Sequence, residues 1–527
     1  MRRCFNINGL CYPDENYMVD LDSRLREIKK LVDSRKYFVI NRARQFGKTT
    51  TLWALKNYLQ TEYTVLSLSF QRLSTQAFAD EASFSKNFLN MLFLLIHNKR
   101  TGITGLDGQA LNELEEAGSQ ELTLTELFVK LSNLCETSAK PIVLIVDEVD
   151  SATNNQVFLD FLALLRDYYL DRKQSAIFHS VILAGVYDIK NLKRKLRSED
   201  EHRYNRPWNI AADFNIDMSF SQSDIATMLE SYVGETGMDM DIPELAALIY
   251  DYTSGYPYFV SYICKIIDED LTETEQQKTS WSNQGVTEAI KYILGHNNTL
   301  FDDMTKKLSD YPELREILYK ILFDGQSFPY NPNNEIIGIG TMFGFIKNEQ
   351  SQVAVSNRIF ETWFYNLFIS EEALSSQSYK AASEIRNQFF DGNELDMELV
   401  LTKFMQHFTE IYSDCTESFK EENGRRLFLM YLKPIINGTG NYYVESQTRN
   451  QRRTDIIVDY LGEQYIVELK IWHGPGYNEK GEKQLADYLE YYKKQKGYLI
   501  NFNFNKNKRP LTRRTECEGK TIFEVIL

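Results

Sequence analysis

The sequence predicts an α/β protein of several domains, with a parallel, doubly wound sheet in the N-terminal part and a further α/β domain at the C-terminal end. Short apolar runs alternate with amphipathic helical segments through residues 36–220, as the crossover connections of a parallel sheet require. Strand-like pairs and a helix follow one another through residues 442–490. In a chain of 527 residues, about 150 residues per domain allows about three domains.

The charge of the chain is unevenly distributed. The formal net charge is −15, which argues against a protein that coats nucleic acid. Residues 415–527 hold 19 basic and 15 acidic residues, whereas residues 1–414 hold 40 and 59. We therefore expect any contact with a phosphate backbone to lie in the C-terminal part.

The sequence favours a cytoplasmic location. Met1-Arg2-Arg3-Cys4 leads into polar sequence rather than a secretion signal. The longest mostly apolar run, residues 88–96, is too short to span a bilayer. Six scattered cysteines without a C-x-x-C pair predict free thiols and no zinc site.

Residues 37–59 have the form of a phosphate-binding loop. An apolar strand at 37–40 leads through a short loop into Gly47-Lys48-Thr49 and a helix. In such a loop the helix N-terminus and backbone N–H groups bind phosphates, the lysine reaches the terminal phosphates, and the threonine hydroxyl is a ligand for Mg²⁺. Arg42 stands where the full pattern G-x-x-x-x-G-K-[ST] has its first glycine.

A second segment strengthens the prediction of a nucleotide site. The apolar run 141–146 ends in Asp147 and Glu148. Nucleotide hydrolysis needs one carboxylate in the Mg²⁺ shell and another to orient or deprotonate water, and we assign these roles to Asp147 and Glu148 respectively. The alternative is that Asp147, Glu148 and Asp150 cap the next helix. The residues expected to bind ATP and Mg²⁺ are Gln45, Phe46, Gly47, Lys48, Thr49, Thr50 and Asp147.

The N-terminal region, 1–220, is predicted to contain an amphipathic helix with Leu21, Leu25, Ile28 and Val32 inward. Its predicted strands are residues 37–41, 64–70, 142–146, 180–184 and 216–220. Tyr187 and Asp188 follow the fourth strand, where P-loop ATPases place a polar γ-phosphate sensor. The basic segment 190–206 is either a solvated helix face or the source of an arginine that completes the nucleotide site of the same or a neighbouring subunit.

The middle of the chain is predicted to be mainly helical. Residues 221–295 form a helical lid in which Gly255-Tyr256-Pro257 separates two helices. Within residues 296–370, short helices precede strands at 336–346 and 352–355, which suits a winged-helix-like module. Residues 371–414 form a helical connector to the last domain, 415–527.

That last domain carries a second constellation of charged residues. If residues 455–460 and 465–470 form a hairpin centred on residues 462–463, Asp455 lies opposite Lys470, and Asp455, Glu468 and Lys470 share one face. Two carboxylates that bind Mg²⁺ or Mn²⁺ and a lysine that orients the nucleophile suit phosphodiester hydrolysis. The alternative is an ordinary pair of cross-strand charges on an exposed sheet face.

Two further features follow this constellation. Gln484 and Tyr488 lie four residues apart and so on one helix face. Basic residues interleaved with aromatic residues then form a strip that predicts a nucleic-acid contact. The basic members are Lys493, Lys494, Lys496, Lys506, Lys508, Arg509, Arg513 and Arg514, and the aromatic members are Tyr491, Tyr492, Tyr498, Phe502 and Phe504.

Nearly the whole chain resembles the bacterial AAA-like ATPases that end in a PD-(D/E)XK nuclease-like (restriction-endonuclease-like) domain. Residues 42–49 are similar to the R-P-R-R-F-G-K-S loop of that family, which also lacks the first glycine, and Ala43 replaces its proline. Gly255-Tyr256-Pro257 resembles the G-x-P of signalling (STAND-type) ATPases.

The C-terminal motifs of that family also have counterparts here. Glu422-Asn423 is similar to the first-helix Glu-Asn, and Arg453-Thr454-Asp455 to G-R-x-D, with Arg452 in the glycine place. Glu468-Leu469-Lys470 matches E-x-K, and Gln484 with Tyr488 matches Q-x-x-x-Y. The resemblance implies a P-loop ATPase joined to a nuclease-like domain, with Glu148, Asp455, Glu468, Lys470, Gln484 and Tyr488 as candidate catalytic residues.

Two functions follow from the sequence. The first is an enzyme in which ATP binding or hydrolysis gates a metal-dependent nuclease that acts on DNA through residues 415–527. The alternative is a nucleotide-dependent nucleic-acid-binding or signalling switch whose nuclease-like domain is inactive. A third alternative is an oligomeric scaffold, in which copies of the chain form a homo-oligomer. The behaviour of such a scaffold would not depend on nucleotide.

Overall fold

The computed structural model describes residues 2–118, 120–153, 155–186, 210–271, 280–373, 376–392, 394–412, 419–437, 440–444, 456–461, 463–472, 474–505 and 509–527. The chain divides into two compact units. The N-terminal unit is Met1–Ala246, Gly255–Lys265 and Met342–Gly344, and the C-terminal unit is Ala247–Ser254, Ile266–Thr341 and Phe345–Leu527.

The first part of the chain builds a four-stranded sheet flanked by helices. In chain order its elements are α1 (Asp22–Asp33), β1 (Tyr37–Asn41), α2 (Lys48–Leu59), β2 (Thr64–Ser69), α3 (Glu81–His97), α4 (Gly108–Gly118), α5 (Leu124–Thr137), β3 (Ile142–Asp147), α6 (Gln156–Leu170), β4 (Ser180–Gly185), α7 (Gln222–Thr236), α8 (Ile242–Thr253) and α9 (Pro257–Ile266). The strands are parallel and lie in the order β1-β4-β3-β2. Four of the five predicted strands are therefore present.

Helices cover both faces of this sheet. Tyr37 and Val39 of β1 lie in one apolar core with α3, α5 and α6, whereas Phe38 and Ile40 lie in a second core with α1 and α2. Successive side chains of a strand point to opposite faces, so the two cores lie on opposite sides of the sheet. The predicted parallel, doubly wound sheet is confirmed.

The fifth predicted strand, residues 216–220, is wrong. In the described chain after β4, Ala212 forms an isolated parallel bridge with Phe38, and residues 216–220 form no strand. The Arg42 guanidinium donates to the carbonyl oxygen of Ile216 at 2.8 Å. A side chain thus satisfies a backbone group that a strand would have paired with a neighbouring strand.

The rest of the chain forms helices and a larger sheet. Its elements are α10 (Asn283–Gly295), α11 (Thr299–Asp310), α12 (Pro312–Asp324), α13 (Glu335–Met342), β5 (Ile346–Glu349), β6 (Gln352–Val355), α14 (Arg358–Ala373), α15 (Gln377–Glu384), β7 (Phe390–Asp391), β8 (Glu394–Leu395), α16 (Met397–Tyr412), α17 (Glu421–Ile436), β9 (Gly440–Val444), β10 (Ile456–Tyr460), β11 (Glu463–Ile471), α18 (Pro475–Tyr491), β12 (Lys496–Phe502), β13 (Leu511–Cys517) and β14 (Lys520–Ile526). The six-stranded sheet has the order β13-β14-β12-β11-β10-β9. Strand β12 runs parallel to β11 and β14, and the other neighbours are antiparallel.

The predicted strand at 336–346 is wrong for most of its length. Helix α13 covers Glu335–Met342, because the Asn334 side chain accepts hydrogen bonds from the N–H groups of Ile336 and Ile337 at 3.1 and 3.2 Å. Strands β5 and β6 then form an antiparallel hairpin. The predicted order of helices followed by a strand pair is present with this shift.

Helices that precede residue 415 share the core of the C-terminal sheet. Phe404 of α16 packs against Phe428 of α17, with ring centroids 5.2 Å apart, and Phe408 packs against Phe502 of β12 at 5.3 Å. Tyr443 of β9 is buried against Tyr252, with centroids 5.8 Å apart. Residues 415–527 therefore bury part of their apolar surface against the segments that precede them.

Candidate nucleotide and nuclease sites

The loop between β1 and α2 has the backbone shape and the buried ammonium group of a phosphate site. Gln45 (φ 55°) and Gly47 (φ 75°) are left-handed, and Gly47 directly precedes α2. Lys48 is buried, and its Nζ donates to the carbonyl oxygens of Arg42 and Ala43, each at 2.9 Å. Burial lowers the pKa of Lys48, so a bound anion would offset the cost of burying this ammonium group.

The loop is joined to the end of β3 by a side-chain hydrogen bond. Thr49 Oγ1 donates to Asp147 Oδ2 at 2.9 Å. These are the hydroxyl and the carboxylate that the sequence assigns to a Mg²⁺ shell, and hard oxygen ligands of this kind suit Mg²⁺. The donor set therefore fits the metal.

Glu148 has a strained backbone and a perturbed carboxyl group. Its φ of 54° is left-handed, which is uncommon for a residue with a side chain and often marks a functional site. Burial, and next the neighbouring Asp147 carboxylate, raise the pKa of Glu148. A raised pKa brings a carboxylate closer to the range of a general base.

The structure does not support helix capping as the role of these acidic residues. Asp147 accepts from Thr49 and from the N–H of Glu148, and Asp150 Oδ2 accepts from the N–H of Val186 at 2.6 Å, just past β4. Helix α6 begins after Asn155, which makes no side-chain cap. The acidic residues instead join the ends of β3 and β4 to the loop.

Arg42 holds the loop in position, and this role was not predicted from the sequence. Its guanidinium donates to the carbonyl oxygens of Asn41, Phe214 and Ile216 at 2.9, 3.4 and 2.8 Å, and it lies 5.2 Å from the ring centroid of Phe214. The residue in place of the missing glycine therefore ties the loop to residues 214–216. No local pattern would have revealed this, because Phe214 and Ile216 lie more than 170 positions away.

The Gly255-Tyr256-Pro257 motif lies against the same loop. The Tyr256 hydroxyl donates to the carbonyl oxygen of Arg44, and its ring packs edge-on against Phe46 with centroids 4.8 Å apart. Gly255 is left-handed (φ 72°), and a Cβ there would lie 2.0 Å from the carbonyl oxygen of Phe220. Only glycine fits at this position.

The N-terminal segment lies beside the first turns of α2. The N–H of Cys11 donates to Thr50 Oγ1 at 3.3 Å, and Tyr12 packs edge-on against Trp53 with centroids 5.3 Å apart. The predicted residues from Gln45 to Thr50 therefore lie between this segment and the motif at 255–257.

Several predicted residues lie outside the described ranges. They are Tyr187, Asp188, the segment 190–206, Arg452, Arg453, Thr454, Asp455, Lys506 and Lys508.

In the C-terminal unit, Glu468 and Lys470 of β11 form an ion pair on one face of the six-stranded sheet. Glu468 is fully buried, and its Oε1 lies 2.8 Å from Lys470 Nζ. Residues two apart on a strand share a face, as predicted. The predicted register is wrong by two residues, because Ile456 pairs with Val467 and not with Leu469. The strands are paired to a point closer to the turn than predicted. Because the shift is an even number of residues, each side chain stays on its predicted face of the sheet.

Helix α18 packs over this pair. A Cβ at Gly481 would lie 3.4 Å from Lys470 Cγ, so the lysine side chain lies against the helix backbone there. Gln484 lies three residues further along, and its Nε2 is 3.5 Å from the hydroxyl of the buried Tyr488. Residues 481, 484 and 488 recur at helical spacing, so Gln484 and Tyr488 do share one face.

A second carboxylate approaches Lys470, and it is not the one that the resemblance indicates. Glu421 Oε2 lies 4.0 Å from Lys470 Nζ. Glu422, which matches the first-helix motif, lies instead against Gly325, where a Cβ would be 2.4 Å from its Cδ. Adjacent helical residues point about 100° apart, so a one-residue offset in the motif selects a different carboxylate.

The same sheet face continues into a buried network. Glu524 of β14 is fully buried and accepts hydrogen bonds from Asn501 and Arg513. Arg513 also pairs with Glu482 of α18 at 3.0 Å. These pairs join β12, β13 and β14 to the helix that carries Gln484.

Two aromatic members of the predicted nucleic-acid strip are not available to stack on bases, and four of its basic members form ion pairs. Tyr498 and Phe502 are buried in the core of the sheet. Lys496 and Arg514 both pair with Glu398, at 2.7 and 2.6 Å. Other basic members pair with acidic groups as well, namely Lys494 with Glu463 and Arg513 with Glu482 and Glu524. These four basic side chains therefore lie beside acidic side chains of other elements.

The metal ligands predicted for the nuclease site remain predictions. Glu468 lies beside Lys470, whereas Asp455 lies outside the described ranges. Among the described residues, no three His, Cys, Asp or Glu side chains form a metal-binding group. The carboxylate of Glu468 has the hard oxygen atoms that suit Mg²⁺ or Mn²⁺.

Comparisons with known protein families match two separate parts of the sequence. Residues 26–366 match the AAA-like domain family, and residues 440–514 match the PD-(D/E)XK nuclease superfamily. No curated protein matches the sequence. In the part of the chain that the structure describes, no helix is both long enough and apolar enough to cross a membrane.

Three solved structures show limited similarity to the chain. A Walker-type ATPase of Pyrococcus abyssi is 14% identical, with a TM-score of 0.48, and the match covers 68% of this chain and 99% of that one. The ORC2 protein of Aeropyrum pernix is 12% identical, with a TM-score of 0.40 and coverage of 71% and 99%. The RuvB motor of Thermotoga maritima is 12% identical, with a TM-score of 0.31 and coverage of 64% and 92%.

Proposed function

Because the chain belongs to the AAA-like domain family and its residues 440–514 match the PD-(D/E)XK nuclease superfamily, we propose that it binds and hydrolyses ATP to gate a C-terminal metal-dependent nuclease that acts on DNA. The observation that carries the proposal is the 2.9 Å hydrogen bond between Thr49 and Asp147. It joins a phosphate-binding loop to a strand-end carboxylate, as metal-assisted nucleotide hydrolysis requires.

In the nucleotide site each residue has a distinct role. Lys48 binds the terminal phosphates, and the N–H groups after Gly47 bind phosphate oxygens at the start of α2. Glu148 orients the attacking water and accepts its proton. Thr49 and Asp147 would hold Mg²⁺.

In the nuclease-like site the proposed residues are Asp455, which precedes β10 in the sequence, and residues of β11 and α18. Asp455 precedes Ile456, and Glu468 follows Val467, the residue with which Ile456 pairs. Asp455 and Glu468 would hold Mg²⁺ or Mn²⁺, and metal ions of this kind neutralise phosphate charge and lower the pKa of bound water. Lys470 positions water or stabilises the developing charge, and Gln484 and Tyr488 support it from α18.

One observation favours the alternative, a nucleotide-dependent binding or signalling switch with an inactive nuclease-like domain. The fully buried Glu468 carboxylate already pairs with Lys470 at 2.8 Å, so a metal would compete with an ammonium group for its oxygens. The switch would still bind nucleic acid in response to ATP.

Incubation of the purified protein with plasmid DNA, with and without ATP and with Mg²⁺ or Mn²⁺, separates the two functions. The nuclease predicts cleavage that requires the metal and increases with ATP. ATP-dependent DNA binding without cleavage under any of these conditions would overturn the nuclease and support the switch.

A further inference from the structure

The first turn of α17 is held by the end of α12. Lys420 Nζ donates to the carbonyl oxygen of Asp324 at 3.1 Å, and Asn423 Nδ2 donates to that of Phe323 at 3.2 Å. The last carbonyl groups of a helix have no partner within the helix. Side chains of α17 therefore complete the end of α12.

Between these two hydrogen bonds, Glu422 lies directly against Gly325. Gly325 ends α12 with a left-handed backbone (φ 57°), and a Cβ there would lie 2.4 Å from both Cδ and Oε2 of Glu422. Any side chain at residue 325 would therefore push the Glu422 carboxylate, the flexible end of that side chain, out of its present position. We name the contacts of Phe323, Asp324 and Gly325 with Lys420, Glu422 and Asn423 the α12–α17 clasp.

A second anchor lies one turn further along α17. Arg426 donates to Glu372 of α14 at 2.7 and 3.1 Å, and its guanidinium lies 5.9 Å from the ring centroid of Phe323. Residues 422 and 426 lie on one helix face. The rotation of α17 about its own axis is therefore fixed at two levels.

The rotation of α17 determines where Glu421 points. Successive helical residues differ by about 100° in direction, so Glu421 does not face α12 when Glu422 does. Its Oε2 lies 4.0 Å from Lys470 Nζ. The same ammonium group lies 2.8 Å from Glu468 Oε1. Lys470 is thus paired with carboxylates from two different elements.

We propose that the α12–α17 clasp positions Glu421 beside Lys470, and that a displacement of α12 changes the nuclease-like site through Glu421. Helix α12 lies within the AAA-like match, whereas Lys470 lies within the nuclease-superfamily match. The clasp is therefore a contact by which the AAA-like region acts on the nuclease-like region. Glu421 is a positioning residue for Lys470. This contact would supply the gating in the proposed function. A cleavage measurement of it therefore rests on the proposed nuclease activity.

The test compares two glycines that end helices. Gly325 and Gly237 both have left-handed backbones (φ 57° and 68°), but a Cβ at Gly237 would meet nothing within 4 Å. Both Ala variants carry similar backbone strain, and only Gly325→Ala introduces a clash with Glu422. Gly325→Ala should lower DNA cleavage about 100-fold, as expected for a misplaced catalytic group, with ATP turnover unchanged. Gly237→Ala should leave cleavage within about twofold, and Glu422→Ala added to Gly325→Ala should restore most of it.

Hydrogen exchange of the full-length protein gives a readout that does not need cleavage. Amides in the first two turns of α17 should exchange about tenfold faster in Gly325→Ala than in Gly237→Ala, because the clasp no longer protects them. Equal exchange and equal cleavage in the two variants would overturn the clasp, and faster exchange with unchanged cleavage would overturn its effect on the site. If the wild-type protein cleaves no DNA, the proposed nuclease fails, and the exchange result alone decides whether the clasp fixes α17.

Discussion

Thr49 and Asp147 lie 98 positions apart in the sequence, and the hydroxyl of the first donates to the carboxylate of the second at 2.9 Å. The hydrogen bond joins the start of α2 to the end of β3. It places the two oxygen groups that would hold Mg²⁺ beside the buried ammonium of Lys48.

Lys48→Ala should abolish ATP–Mg²⁺ binding, with a loss on the order of 100-fold or more, because it removes the cation that pairs with the terminal phosphates. Lys56→Ala, two turns further along α2, is the matched control and should bind as the wild type does. Titration calorimetry measures both. The same ATP affinity for wild type and Lys48→Ala would show that the site is assigned wrongly.

Glu148→Gln should keep ATP binding and lower turnover by about 10²- to 10⁴-fold, because an amide cannot accept the proton of the attacking water. Steady-state phosphate release, at ATP concentrations that saturate both proteins, gives the comparison. Turnover within a few-fold of the wild type would assign the general base to another residue.

The same variant tests the environment of Glu148 through stability. Burial raises the pKa of Glu148 in the folded chain, so between the ordinary and the raised pKa the folded state binds more protons than the unfolded state. Stability therefore falls as the pH rises through this window. Measured by urea unfolding, Glu148→Gln should lack this fall, and its stability relative to wild type should improve above the raised pKa. A constant difference at every pH would contradict the burial of this carboxylate.

Arg42→Ala should lower the free energy of unfolding by about 3 kcal/mol and weaken ATP binding, because three backbone carbonyl groups lose a charged donor. The exposed Arg26 on α1 is the control, and Arg26→Ala should change stability by less than about 0.5 kcal/mol. Urea unfolding of both variants measures the effect. If the two substitutions cost the same, Arg42 does not fix the loop.

Charge reversal of Lys506, Lys508 and Arg509 should weaken DNA binding across sequences and lower the slope of log K against log salt by up to about 2.7. Reversal of Arg26, Lys30 and Arg35 changes the net charge equally in the N-terminal unit and should leave the slope unchanged. Fluorescence anisotropy over a range of salt concentrations measures both. An unchanged slope in the first variant would exclude these residues from the contact.

Local patterns were enough to predict the first sheet and its loop. Strands β1 to β4 are short apolar runs, and Gly47-Lys48-Thr49 follows the first of them. Glu468 and Lys470 share one face of β11 because they lie two residues apart, so the two-residue error in the β10–β11 register does not affect them. Features that depend on residue spacing within one element were therefore predictable.

Features that depend on residues far apart in the sequence could not be predicted. Arg42 finds its carbonyl partners at residues 214 and 216, and these contacts replace the predicted strand there. Glu398 pairs with Lys496 and Arg514 from more than 90 positions away. No spacing rule indicates such pairs, so the ion pairs of Lys494, Lys496, Arg513 and Arg514 could not be predicted from the sequence.

Plasmid cleavage by the full-length protein with ATP and Mn²⁺, compared with Asp455→Asn and Glu468→Gln, tests the proposed function most directly. Glu463→Gln, an exposed acidic residue in the same hairpin, is the control. Cleavage should occur in the wild type and the control and be absent in Asp455→Asn and Glu468→Gln. ATP turnover should be the same in all four proteins. Intact plasmid in every reaction, or equal cleavage by all four, would contradict the nuclease assignment.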